Sequence, residues 1–108
     1  MSPKPVILRA AAVADVDRIL EHYLGEAGPG LAMRFVDSLE ETFGRIGLHP
    51  AAGSPRCAHE LALPGLRHAM VPGFPLLVFY VERAEHVDVW RVLHGATDIP
   101  AWMREGPG

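Results

Sequence analysis

The sequence of 108 residues predicts an α+β fold: an N-terminal strand, an antiparallel two-helix hairpin, then a three-stranded antiparallel sheet. Three observations carry this reading. Residues 76–93 hold two β-rich runs separated only by Arg83-Ala84-Glu85. So short a break makes them an antiparallel hairpin, since parallel strands need a crossover of about a dozen residues or more. Upstream, two segments repeat apolar residues at helical spacing, and the Gly28-Pro29-Gly30 cluster between them is short enough to force an antiparallel helix pair.

Taken in order, Val6-Ile7-Leu8 is a β-prone run too short to stand alone, so it must pair with the later hairpin. In 11–24, Val13, Val16, Ile19, Leu20, Tyr23 and Leu24 form an apolar stripe; Asp15, Asp17 and Glu21 fall on the polar side, where solvation is the default. Gly25 and Gly28 end that helix. A second helix over 31–48 carries Leu31, Phe35, Leu39, Phe43 and Ile46 on one stripe. His49-Pro50 closes it and opens an irregular connection to about Pro64, long for so small a domain. A strand over 66–71 has Arg67 and His68 on opposite faces, and Pro72-Gly73-Phe74-Pro75 turns it into the hairpin.

Within the hairpin, 76–81 is apolar at every position, as in a central strand. Strict alternation in the last strand puts Val87, Val89, Arg91 and Leu93 on one face and Asp88, Trp90, Val92 and His94 on the other. Two helices cover one side of a sheet, so the other side is expected to remain apolar and open, the mark of a partner site. One domain spans 1–108, with an ordered core of about 5–100.

Composition narrows the function. With 49% hydrophobic and 21% charged residues the chain is an ordinary globular protein rather than a disordered one. Neither a membrane span nor a signal peptide is visible, which places the protein in the cytoplasm. The formal net charge of −3 disfavours direct nucleic-acid binding, which draws on a basic excess. The lone Cys57 forms no intrachain disulfide, and the six histidines lack ligand spacing, so neither a metal nor a cofactor is expected.

Ala11-Ala12-Val13-Ala14-Asp15-Val16 with Ile19 and Tyr23, Ala32-Met33-Arg34-Phe35 with Leu39, His49-Pro50 with Gly53 and Pro55, Gly65-Leu66-Arg67, Val78-Phe79-Tyr80, and Arg91-Val92-Leu93-His94-Gly95 with Asp98-Ile99-Pro100 together resemble the ParE branch of the RelE/ParE toxin superfamily. The resemblance runs over 6–100. It implies the toxin of a type II toxin–antitoxin pair, of the kind associated with plasmid stabilisation, inhibiting DNA gyrase by binding and neutralised by a ParD-like antitoxin that lays a C-terminal segment across it. The chain departs from many relatives at Ala96-Thr97, where they carry basic residues.

On this reading the partner-contacting residues are Arg67, Tyr80, Trp90, Arg91, His94 and Asp98. Arg91 can equally be a strand arginine paired with Asp88, Glu82 or Asp98; His94 can be a strand-terminating residue bonded to backbone; and Trp90 and Trp102 can be packing residues. The alternative is a RelE-like ribosome-dependent mRNA endonuclease, in which His94, Arg67, Arg91 and Glu60 would supply base, acid and cations for attack by a 2′-hydroxyl. A third reading is a non-toxic protein that retains only antitoxin binding.

Overall fold

The computed structural model describes residues 2–96 and Ile99. Its elements are β1 (Val6–Leu8), α1 (Ala10–Ala27), α2 (Pro29–Leu48), a 3₁₀ turn (Pro50–Ala52), α3 (Arg56–Leu61), β2 (Leu66–Met70), β3 (Leu76–Glu82) and β4 (Val87–His94). The architecture is the expected α+β one. The strands form one four-stranded sheet in the order β1-β4-β3-β2, antiparallel except that β1 joins β4 in parallel. The first strand thus completes a mixed sheet, with Val6 beside Val87 and Leu8 beside Val89.

Both helices outrun their apolar stripes. α1 continues through Gly25 to Ala27 and stops only at Gly28, whose φ of 78° is a conformation that glycine adopts without penalty. Pro29 then starts α2 with its ring preset to helical φ, so a single residue separates the two helices. The pair packs on one sheet face around Ala12, Phe35, Leu39, Ile46, Val78, Tyr80, Val87, Val89 and Val92. Tyr23, Phe35 and Phe74 close one end of this core with ring centroids 5.3 to 5.8 Å apart.

Two expectations fail here. The far sheet face is not open: the supposedly irregular connection contains α3, whose Cys57, Ala58 and Leu61 pack with Leu63 and Trp90 over Leu66, Phe79, Val81 and Leu93. Phe79 on that face is fully buried. Strict alternation in β4 also breaks. Phe79 pairs with Arg91 but Tyr80 pairs with Val89, so Trp90 is the extra residue of a bulge. Val89 and Val92 therefore both serve the helix-side core, while Trp90 and Leu93 turn to the α3 side.

The connection before α3 also dresses the edge of β2. Ser54 and His68 exchange backbone hydrogen bonds of 2.9 and 3.0 Å, the Leu66 N–H donates to the Leu63 carbonyl, and Arg45 donates to the Met70 carbonyl. An edge whose groups are taken in this way offers little to a stray strand.

Candidate functional site

Asp15 lies one turn beyond Ala12 on the buried side of α1, with 1% of its surface exposed. The expectation that it is solvated is overturned. Its carboxylate accepts two hydrogen bonds of 2.7 Å from Arg91, fork to fork, and a third of 2.7 Å from Arg18. The Val92 N–H, on the side of β4 that β1 no longer flanks after Leu8, also donates to it at 3.0 Å. Asp15 therefore binds α1 to the strand just beyond the bulge. Arg91 is 5% exposed, and its carboxylate partner is Asp15 rather than Asp88 or Glu82. Two guanidinium groups share this carboxylate: Arg91 is buried, while the side chain of Arg18 is 54% exposed.

Asp88 organises a second cluster on the α3 side of the sheet. It accepts from Arg9 at 3.0 and 3.1 Å, from Arg83 at 3.2 and 3.3 Å and from the Trp90 indole at 3.1 Å. The Arg9 guanidinium also lies 4.5 Å from the centre of the Trp90 ring. Burial pushes the Asp88 carboxyl up, but the hydrogen bonds from Arg9, Trp90 and Arg83 outweigh it and hold the group below the usual carboxylate range.

A third group anchors the connection between α2 and α3. The Tyr80 hydroxyl, fully buried, donates to the Pro50 carbonyl at 2.7 Å, and Arg67 donates to the Gly53 carbonyl at 2.8 Å. Residue 53 must be glycine, because a Cβ there would collide with the Tyr80 hydroxyl. Burial raises the Tyr80 pKa, so the phenol stays a donor. The neighbouring His68 faces Phe79 with ring centroids 5.7 Å apart, and burial, then the Arg56 charge, lower its pKa.

Of the residues singled out in the sequence, Arg67 and Tyr80 are brought together as cross-strand neighbours. Arg67 and His94 are not: Tyr80 stands beside Arg67 and Leu76 beside His94, a separation of about 13 Å along β3 at the usual strand rise. Glu60 lies on the exposed side of α3, 3.6 Å from Arg56. His94 is exposed, and its Nδ1 accepts the Ala96 N–H at 3.0 Å, which places the proton of the neutral ring on Nε2. Asp98 and Trp102 lie outside the described residues. The residues missed in the sequence include Asp15 and Arg18 in one cluster and Arg9 and Arg83 in the other; the signal for Asp15 was its helical spacing from Ala12 and Ile19.

Between α1 and the ends of β3 and β4 runs a crevice of about 160 Å³ lined by Arg18, Ile19, Tyr23, Leu76, Val92, Leu93 and His94. Among the described residues, no three His, Cys, Asp or Glu side chains gather as a metal ion would require, and no helix is long and apolar enough to cross a membrane.

Residues 6–99 match the family model for the ParE toxin of the type II toxin–antitoxin system parDE. The chain belongs to the ParE toxin family. A solved chain of the chromosomal ParDE toxin–antitoxin system from P. aeruginosa superposes with a TM-score of 0.71 at 20% identity, over 84% of this chain and 95% of that one. At that identity the likeness is one of fold. No curated protein matches the chain. The ParE match begins at β1 and ends on Ile99, so it takes in both carboxylate clusters and the crevice.

Proposed function

We propose that this ParE-family chain arrests growth by binding and inhibiting DNA gyrase, and that a ParD-like antitoxin holds it inactive in the cytoplasm. The observation that carries the proposal is a family match over the whole sheet and both long helices, 6–99. The dispersal of the ribonuclease candidates supports binding over RNA cleavage. Arg91 is buried in its ion pair with Asp15, Arg67 is spent on the Gly53 carbonyl, and His94 lies at the other end of β3 from Arg67. The net charge of −3 points the same way.

Since α3 occupies the far sheet face, the antitoxin's contact belongs on the helix side, where Val13, Leu24 and Met33 are exposed apolar side chains. His94 and part of Trp90 stand at the surface as contacts; Tyr80, Arg91 and Arg67 act from below, by fixing β4 and the α2–α3 connection.

Purified chain added to gyrase in a supercoiling assay should abolish supercoiling, and the antitoxin encoded beside it should restore it. Undiminished supercoiling at saturating toxin refutes the gyrase reading. New 5′ ends on translated mRNA after induction would establish the endonuclease instead, and unaffected growth with tight antitoxin binding the non-toxic protein.

A further inference from the structure

A second cleft opens where the end of α2 passes the edge of β2, away from both carboxylate clusters. Its volume is about 340 Å³, within the ~300–1,000 Å³ range of small-molecule sites. Ile46, Ala52 and Ala69 give it an apolar wall, Arg45, His49 and Ser54 are polar, and none of its lining residues is acidic. Two donors meet at its rim. His68 turns its N–H and carbonyl outward to Ser54, so Met70, two residues on along β2, presents its own in the same direction. The Met70 carbonyl accepts from the Arg45 guanidinium at 3.3 Å, just beyond the usual ~2.7–3.2 Å, and among the described residues this is the one hydrogen bond that the Arg45 side chain makes. The Met70 N–H stands beside it as the next donor of the edge. The last-turn carbonyls of Arg45 and Gly47 are occupied, accepting from the His49 and Lys4 N–H groups.

We infer that this cleft binds a small organic carboxylate with a compact apolar body, the carboxylate accepting from the Arg45 guanidinium and the Met70 N–H and the body lying against Ile46, Ala52 and Ala69. Charge decides between ligands. A carboxylate replaces one long bond to a neutral carbonyl with a charge-assisted one, roughly twice as strong, whereas a neutral amide of the same shape gains no such advantage. A cation would meet the guanidinium with no acid in the lining to compensate. Glu41, one turn back from Arg45 on α2, disfavours a second negative charge, which selects a monoanion over a dianion. Arg45 is already drawn to the edge by the Met70 carbonyl, so part of the ordering of its side chain is complete before the ligand arrives.

The test uses small probes on the intact chain labelled with ¹⁵N. Benzoate at millimolar concentration should shift the amides of Ile46, Ser54, Ala69 and Met70. Benzamide, which keeps the shape without the charge, benzylammonium, which reverses the charge, and inorganic phosphate, which lacks the apolar body, should each bind at least about tenfold more weakly. Arg45→Gln should weaken benzoate about tenfold, the value of one charge-assisted hydrogen bond, with Arg45→Lys recovering part of the loss. The same spectra report whether each variant is folded, and the probe series on the unaltered chain stands without them. Equal binding of benzamide, benzylammonium or phosphate, an unchanged affinity in a folded Arg45→Gln chain, or no shift at these amides overturns the inference. The probes contain neither gyrase nor antitoxin, so the supercoiling result and this one can fail separately.

Discussion

Asp15 and Asp88 solve the same problem on opposite faces of one sheet, and they solve it differently. Each is a single carboxylate shared by two arginines and one further N–H donor. Asp15 is sealed under α1 and neutralises an arginine that is itself buried, while Asp88 lies nearer the rim, with Arg83 partly in water. Desolvation makes the first arrangement costly to build and far costlier to break halfway, because removing one partner strands a buried charge. Water can replace a lost partner in the second. The inner cluster therefore locks α1 to β4, and the outer one trims the surface where β1 meets the hairpin.

The largest effect is expected where that lock is cut. Asp15→Ala should destabilise the fold by about 3–5 kcal/mol, since it breaks the buried ion pair with Arg91 by removing one partner. Urea denaturation would measure this. Asp15→Leu combined with Arg91→Met should recover most of the loss, short of the ~1–3 kcal/mol for the Val92 N–H left without its acceptor. A double variant no better than Asp15→Ala would show that packing, not charge, dominates the site.

Asp88→Asn should cost less, about 1–2 kcal/mol, because Arg9 and Arg83 can turn to solvent. Acid titration sharpens the contrast. The Asp88 pKa is depressed in the folded chain, so its stabilisation is complete above the ordinary carboxylate value of 3.8 and is lost as pH falls below that toward the folded pKa. Below that window the wild-type and Asp88→Asn chains should converge in stability; a constant gap between them down to acid pH would contradict the assignment.

The contrast between the clusters also marks how far the sequence could be read. Helical spacing and the short break before His86 were enough for the order of strands and helices, because periodicity is a local property. The parallel docking of β1 against β4 rests on contacts between residues about 80 positions apart, which no local pattern encodes. α3 has six residues, too few for an apolar stripe to declare itself. The bulge at Trp90 defeated the face assignment, since one inserted residue moves every later side chain relative to strict alternation. Asp15 read as solvated because charge outweighed position, although its spacing from Ala12 put it on the buried stripe. Tyr80 and Arg67 were singled out in the sequence as partner contacts; their clamping of the connection at Pro50 and Gly53 depends on the folded chain and was not legible.

The smallest effect belongs to the exposed ion pair on α3, which lies outside both clusters. Arg56 and Glu60 face each other one turn apart on α3 at 3.6 Å, with side chains 81% and 61% exposed. Coulomb attraction is weak at that distance in water, and holding two long side chains together costs entropy that the pair barely offsets. Glu60→Gln should therefore change unfolding free energy by no more than about 0.5 kcal/mol. A double-mutant cycle with Arg56→Gln would give a coupling near zero, against a large one for Asp15 and Arg91. If the surface pair proved as strongly coupled as the inner one, α3 would be held by charge rather than by Cys57, Ala58 and Leu61 against the sheet, and burial would no longer be what separates Asp15 from Asp88.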